Sequence, residues 1–221
     1  MTKYSGISSK SISFKNIRYE KKHSIAYITI NRPAVHNCLN LETLRELIRR
    51  IKAAGCISYL EVVSTTPDAC LNSARVAADI GVERLLGGTD AEMILKATEG
   101  SGVGYYPFPG RPEGHPTRLG GSPESVAADC ARFEKLGCAG VDLLAYRAFE
   151  SDPPDLVRAA RAAMKGYLVC AGSVDSPERI HALADAGADA FTIGSAVFDG
   201  SFSKRKGSII SQLKDVLAAC K

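Results

Sequence analysis

The stretch that most restricts what this chain can become runs from Tyr167 to Phe198, YLVCAGSVDSPERIHALADAGADAFTIGSAVF. Tyr167–Cys170 is a short apolar, β-rich run, and Ala171–Val174 is a turn of small residues. Asp175 or Ser176 then offers a side-chain oxygen as helix N-cap. Pro177 suits the first helical position, and Glu178 complements the helix dipole. Ile180, Leu183 and Ala184 supply one apolar stripe, and Ala186-Gly187-Ala188 ends the helix. Ala190–Ile193 is a second strand, closed by Gly194-Ser195. Two strands joined through one helix lie parallel, as a right-handed βαβ unit. The stretch therefore predicts an α/β fold.

Each of the two strands ends in a small Gly-Ser turn, Gly172-Ser173 and Gly194-Ser195. A turn without bulky side chains lets backbone N–H groups close on an anion, and phosphate is the commonest such anion. The plainer alternative is a pair of tight strand–helix connections that need glycine for backbone shape alone. In (β/α)8 barrels the loops after strands 7 and 8 frequently form a phosphate site. The pair of turns resembles that of the phosphate-binding barrels, such as the histidine- and tryptophan-biosynthesis isomerases and the pentulose-phosphate epimerases. The resemblance implies that Gly172, Ser173, Gly194 and Ser195 hold a phosphate group.

Composition narrows the class. A chain of 221 residues has room for one domain with a large core, or two small ones. The net charge of +4 is mild, and aromatic residues do not alternate with basic ones, so nucleic-acid binding is not indicated. No apolar run approaches the ~20 residues needed to cross a bilayer. Residues 1–13 are polar and read as a flexible lead-in without the apolar segment of a secretory signal. The seven cysteines form no CxxC pair and none stands near a histidine at metal-ligand spacing. An odd number scattered along the chain reads as reduced thiols, which points to the cytoplasm.

Residues 14–47 differ in character from the rest of the chain. Ile17–Glu20 and Ile25–Ile30 read as two strands around the polar turn Lys21–Ser24. Asn40 caps a helix with Leu44, Leu47, Ile48 and Ile51 on one face. Ile28-Thr-Ile-Asn-Arg-Pro33 followed by Asn37-Cys-Leu-Asn40 resembles the amino-terminal hairpin of the enoyl-CoA hydratase (crotonase) family. That family also needs a glycine-rich oxyanion-hole loop and a second glycine-rich helix start, and neither is found here. Crotonase activity is therefore not carried over, and a hydratase is the least favoured reading.

From Leu41 onward strands and helices alternate, six αβ units after the first helix. Strands are expected at Ile57–Val63, Glu83–Leu86, Gly102–Phe108, Gly140–Tyr146, Tyr167–Cys170 and Ala190–Ile193. The helix Asp68–Ile80 offers Ala69, Leu71, Val76 and Ile80 as its apolar positions, and a last helix runs from Lys206 to Cys220. With the two leading strands the count reaches eight. A (β/α)8 barrel typically takes ~250 residues, so this chain falls short by about one helix. The expected architecture is a (β/α)8 TIM-barrel-like domain over 14–221. In it the first strand–helix–strand is replaced by the crotonase-like β-hairpin of 14–40, by natural recombination or by construction. An open or incomplete barrel, or a doubly wound sheet, is the structural alternative.

In a barrel the active site lies at the carboxyl ends of the strands. Glu61 stands inside the apolar run YLEVV and Asp142 inside GVDLLAY, and burying an unpaired carboxylate is costly, so each must be paired or functional. Two carboxylates facing one cavity can act as general acid and general base, or jointly hold a divalent ion. Tyr146 falls on the same strand face as Asp142 by the period of two, and Arg147 follows at the strand end. The loop Pro109–Gly121 carries four glycines and three prolines, and long loops at this face tend to be functional. Within it His115 offers an acid or base, and Arg111 or Arg118 a clamp for phosphate or carboxylate. Ser64, Thr65 and Thr89 are weaker strand-end candidates.

From residue 41 on the chain resembles the ribulose-phosphate-binding barrels, the group of the histidine-biosynthesis isomerases. The resemblance implies an isomerase or lyase acting on a phosphorylated sugar or similar metabolite. Two other readings stand beside it: a non-catalytic barrel that senses a phosphorylated ligand, and a chimera without native activity. An uncovered sheet edge beside the hairpin would favour a homodimer.

Overall fold

The computed structural model describes residues 14–22, 25–64, 66–204 and 207–221. The lead-in 1–13, part of the Lys21–Ser24 turn, Thr65 and the helix start at Lys206 lie outside the described residues. The chain divides into two compact units, with the boundary after Ser58. The unit before that boundary holds the hairpin and the helix that follows it.

In the first unit β1 (Ile17–Lys22) and β2 (Ile25–Ile30) pair antiparallel, with Ile17 opposite Ile30 and Tyr19 opposite Ile28. The chain turns through Asn31-Arg32 and a 3₁₀ turn at Pro33–Val35. Helix α1 (Leu41–Ala53) comes next, capped by Asn40, whose side-chain oxygen accepts from Thr43 N at 2.9 Å. Glu46 of α1 is buried, and its carboxylate accepts from Lys15 N at 2.9 Å and Asn16 N at 2.8 Å. The Arg50 guanidinium stacks on the Tyr19 ring at 3.2 Å. A charged residue on α1 therefore ties the start of the hairpin to the helix. Of the expected apolar stripe only Ile48 is buried.

Among the described residues the second unit holds six parallel strands: β3 (Tyr59–Glu61), β4 (Arg84–Leu86), β5 (Gly104–Tyr106), β8 (Gly140–Leu143), β9 (Tyr167–Cys170) and β10 (Ala190–Phe191). β3, β4 and β5 are hydrogen-bonded in that order, as are β8, β9 and β10. The bonds Ala139 N to Tyr105 O and Asp142 N to Pro107 O, both 3.0 Å, join β5 to β8. Every strand therefore neighbours the next parallel strand in the chain. This is the singly wound order of a barrel, not the reversing order of a doubly wound sheet. Among the described residues no pairing joins β10 to β3, so the closed eight-stranded barrel expected from the sequence is not formed. The physical reason is plain: β2 spends its hydrogen bonds on β1, and only six strands remain for the parallel arc.

Helices α2 (Pro67–Ile80), α3 (Ala91–Ala97), α4 (Pro123–Leu136), α5 (Pro153–Ala163), α6 (Pro177–Asp185), α7 (Ser195–Phe198) and α8 (Ile209–Ala219) complete the unit. α2, α4, α5 and α6 each begin on proline, whose missing N–H costs nothing there. α2 buries the expected Ile80, but Cys70, Ala74 and Ala77 in place of Ala69, Leu71 and Val76, because small residues at this spacing let a helix lie close to its neighbours. At the amino-terminal end of the strands the Arg84 guanidinium lies among three tyrosine rings, 4.3 Å from the Tyr167 centroid and 5.0 Å from that of Tyr59. Tyr106 is the third, at 5.7 Å. The opposite, carboxyl end is left for the site.

The 109–121 segment is no irregular loop. It is an antiparallel hairpin of β6 (Arg111–Glu113) and β7 (Arg118–Gly120), with Gly114, His115 and Pro116 at its exposed tip.

Candidate functional site

At the carboxyl ends of β3, β8, β9 and β10 lies a cleft of about 410 Å³, lined by Glu61, Arg147, Gly172, Ser173, Thr192, Gly194, Ser195 and Asp199 among others. Both Gly-Ser turns thus face one space. Glu61 reaches it as the last residue of β3. Arg147 reaches it from a 3₁₀ turn, Ala145–Arg147, that succeeds β8.

The two turns are built differently. Gly172 and Ser173 both adopt positive φ, +80° and +57°, a left-handed geometry that costs a serine free energy and so needs local support. The support comes from Arg179, whose guanidinium donates to Ser173 O and to the Asp175 carboxylate, the latter at 2.9 Å. Arg179 in turn stacks on Tyr146 at 4.7 Å. Gly172 has no room for a side chain, because a Cβ there would lie 2.8 Å from Arg147 Cδ. The Arg147 side chain therefore runs directly over the turn. The second turn leads into α7, where Val197 N and Asp199 N bond back to Gly194 O and Ser195 O at 2.9 and 2.8 Å. Its first N–H groups are those that a helix leaves without internal partners.

Arg147 is the cation of the cleft. Its Nη1 donates to Thr117 O at 3.3 Å, and no carboxylate pairs with it within 4.0 Å among the described residues. Glu61 stays exposed to the cleft; the partial loss of solvent there raises its pKa, and Arg147 opposes that rise. Asp142 is strongly perturbed. It is fully buried, and neither carboxylate oxygen has a hydrogen-bond partner. Burial pushes its pKa well above the usual aspartate range, the Glu61 charge adds to the rise, and Arg147 opposes it. Asp142 therefore keeps its proton where an ordinary aspartate has lost it, close enough to Glu61 and Arg147 to respond to both. Asp199 runs the other way: hydrogen bonding from the Ser201 hydroxyl, and from Ser201 N at 2.9 Å, holds its pKa down.

Of the residues singled out from sequence, Glu61, Arg147, Gly172, Ser173, Gly194 and Ser195 meet in the cleft, with Asp142 buried behind its wall. The others do not line it. His115 is exposed at the β6–β7 tip. Arg111 pairs with Glu150 at 2.6 Å and Glu113 at 3.4 Å, and Arg118 lies over the Phe149 ring at 4.4 Å. Tyr146 belongs to the 3₁₀ turn, because β8 ends at Leu143 and the period of two no longer applies. Thr192, Asp199 and Arg179 were not legible as site residues, although Thr192 stands two places before Gly194 in the same strand-end run. Among the described residues no group of three or more His, Cys, Asp or Glu side chains is arranged to hold a metal ion, and no helix is long and apolar enough to cross a membrane.

No protein-family model matches the chain, and no curated protein matches it in sequence. The enoyl-CoA hydratase resemblance of residues 14–47 thus has no family match behind it. Solved structures do match. The BexX/CysO complex of Amycolatopsis orientalis aligns with a TM-score of 0.55 at 18% identity, over 80% of this chain and 70% of that one. Native KDPGal gives 0.52 at 12% identity, over 80% and 77%. The second unit has a barrel-type βα fold. FabK from Thermotoga maritima gives 0.52 at 15% identity, over 72% of this chain and 48% of that one, so the chain spans about half the length of FabK. At these identities the likeness speaks for the backbone arrangement alone.

Proposed function

We propose that the cleft binds the phosphate group of a small phosphorylated sugar or related metabolite, and that the protein is a lyase or isomerase acting on it. The observation that carries the proposal is the convergence of both Gly-Ser turns and an arginine without a carboxylate partner on one cleft, with two carboxyl groups of raised pKa beside it. Backbone N–H groups of the turns and the Arg147 guanidinium bind the phosphate. Glu61, at the cleft, takes a proton from a carbon next to a carbonyl. The electron pair of that C–H bond becomes the C=C bond of an enediol, and the former carbonyl oxygen gains, relayed through a water at the cleft wall, the proton that Asp142 has kept behind it. A raised pKa makes each carboxyl a better holder of a proton than an ordinary carboxylate, which suits it to proton exchange.

The test is turnover. A panel of triose to pentose phosphates is screened with the wild-type protein, and the active substrate is then given to Glu61→Gln and Asp142→Asn. The expected loss is about 10²-fold or more for each, the usual contribution of a positioned acid or base. Unchanged turnover in both variants would refute the catalytic assignment. A second reading is favoured by the open arc: a barrel lacking its first two strands also lacks whatever residues those strands would bring. In that reading the protein binds a phosphorylated ligand without turning it over, as a sensor or as a chimera of a crotonase-like hairpin and a barrel. Phosphate binding with no turnover across the panel selects it.

A further inference from the structure

We infer that Glu150 is a positioning residue for the anion site, acting through the β6–β7 hairpin to hold the Arg147 guanidinium over the Gly172 turn. The inference rests on the reading of the cleft as an anion site, and it gives the hairpin and Arg111 a role other than touching the ligand.

The hairpin is fastened to the segment after β8 at several points. Glu150 uses both carboxylate oxygens: one accepts from Arg111 Nη2 and the other from Gly121 N, each at 2.6 Å. Arg111 reaches Glu150 because its opposite residue in the hairpin is Gly120, where a Cβ would lie 2.8 Å from Arg111 Cζ. The guanidinium thus lies across the hairpin where Gly120 leaves it room. Next to this clasp, Phe149 N donates to Leu119 O at 3.2 Å, Leu119 bridges to Ala148 in parallel, and Ser151 Oγ donates to Gly121 O at 2.9 Å. Arg118 covers Phe149 from the hairpin side.

The clasp matters to the cleft because the same two strips of chain meet at Arg147. Thr117, which is buried and leads into β7, presents its carbonyl to Arg147 Nη1 at 3.3 Å. That carbonyl is the sole hydrogen-bond acceptor of the Arg147 side chain among the described residues. A long side chain fixed at one end of its guanidinium keeps its remaining N–H groups directed, and its rotamer freedom is already spent before an anion arrives. The position of Thr117 O depends on the hairpin, and the hairpin is held by Glu150. Removing the Glu150 charge loosens the Arg111 clasp at a charge-assisted bond, the stronger kind. Arg147 then samples more orientations, and the anion has to order it.

The experiment uses the full chain and two readouts. Nitrogen-15 spectra of the arginine Nε–H groups report solvent exchange at Arg147 without any ligand, and titration with inorganic phosphate gives a Kd. Glu150→Gln keeps the shape and the Gly121 acceptor but loses the charge, and Arg111→Met removes the other half of the clasp. Both variants are expected to speed Arg147 Nε–H exchange at least threefold and to weaken the phosphate Kd about three- to tenfold, with the double variant no worse than either single one. Glu150→Asp is expected to recover part of the loss. Exchange and Kd unchanged in both single variants would overturn the inference, as would a lowered Tm with neither readout moved. Faster Arg147 exchange with no phosphate binding even in the wild-type protein would uphold the clasp and refute the anion site itself.

Discussion

A buried carboxyl without a partner is an expensive residue, on the order of 1–3 kcal/mol when the group is neutral and more when charged. Asp142 is such a residue, and its folded-state pKa lies above its unfolded value. Below the unfolded pKa the folded and unfolded chains carry the same proton, and the stability associated with protonated Asp142 is fully present. As pH rises towards and through the raised folded pKa, the unfolded chain has released its proton while the folded one retains it, and stability falls by about 1.4 kcal/mol per unit of elevation. Asp142→Asn removes this loss. Thermal melts are expected to show the Tm difference between Asp142→Asn and wild type moving in favour of the variant from pH 4 to pH 8, at roughly 2–4 °C per kcal/mol. A difference constant across that range would contradict a raised Asp142 pKa. That Glu61 and Asp142 stand apart from the runs around them was legible in the sequence, since carboxylates inside apolar strand runs are rare without cause. That Asp142 is the wholly enclosed member, and Glu61 the one at the cleft, depends on which residues of neighbouring strands surround each, and no local pattern encodes that.

At the scale of elements, the strand–turn–helix punctuation was readable because it is local chemistry: Ser122 and Ser176 as caps, proline at N1, glycine in left-handed closing positions. Tyr167–Cys170, Pro177–Asp185 and the Gly-Ser turns fell where the sequence placed them. The hairpin of 111–120 was not readable as one, since its two strands have three residues each and carry proline, glycine and charge where strands usually carry β-branched residues. Its pairing is upheld by tertiary contacts with residues 148–151 instead. The Gly172 turn gives a prediction at this scale. Gly172→Ala forces an L side chain into φ +80° at roughly 1–2 kcal/mol and pushes against Arg147. The variant is expected to lower the Tm and also to weaken phosphate binding at least tenfold. A lowered Tm with phosphate affinity retained would show that the turn serves backbone shape alone.

Across the whole molecule, six parallel strands in chain order make an arc with two ends, β3 and β10, and an unpaired edge invites pairing with another chain. A homodimer is the expected state, and light scattering at micromolar concentration checks it, a monomer counting against it. The sequence pointed to eight strands, and the described residues hold ten, because the short β6 and β7 were not counted; the leading hairpin was legible, but not that six-residue β1 and β2 would pair only with each other, in their own sheet. The exposed link from Ala54 to Ile57 lies at the boundary between the units. Limited proteolysis is expected to cut there first and to leave a folded fragment beginning near Tyr59 that retains its phosphate response, while a fragment that unfolds on cleavage would show that the units depend on each other. The most direct test of the account is titration of the full chain with inorganic phosphate, following the amide resonances of Gly172, Ser173, Gly194 and Ser195 in the wild-type protein and in Arg147→Met. Saturable shifts at both turns in the wild type, weakened about ten- to hundredfold in the variant, are the predicted result. No shift at either turn at millimolar phosphate would contradict the anion site and leave the two turns as connections only.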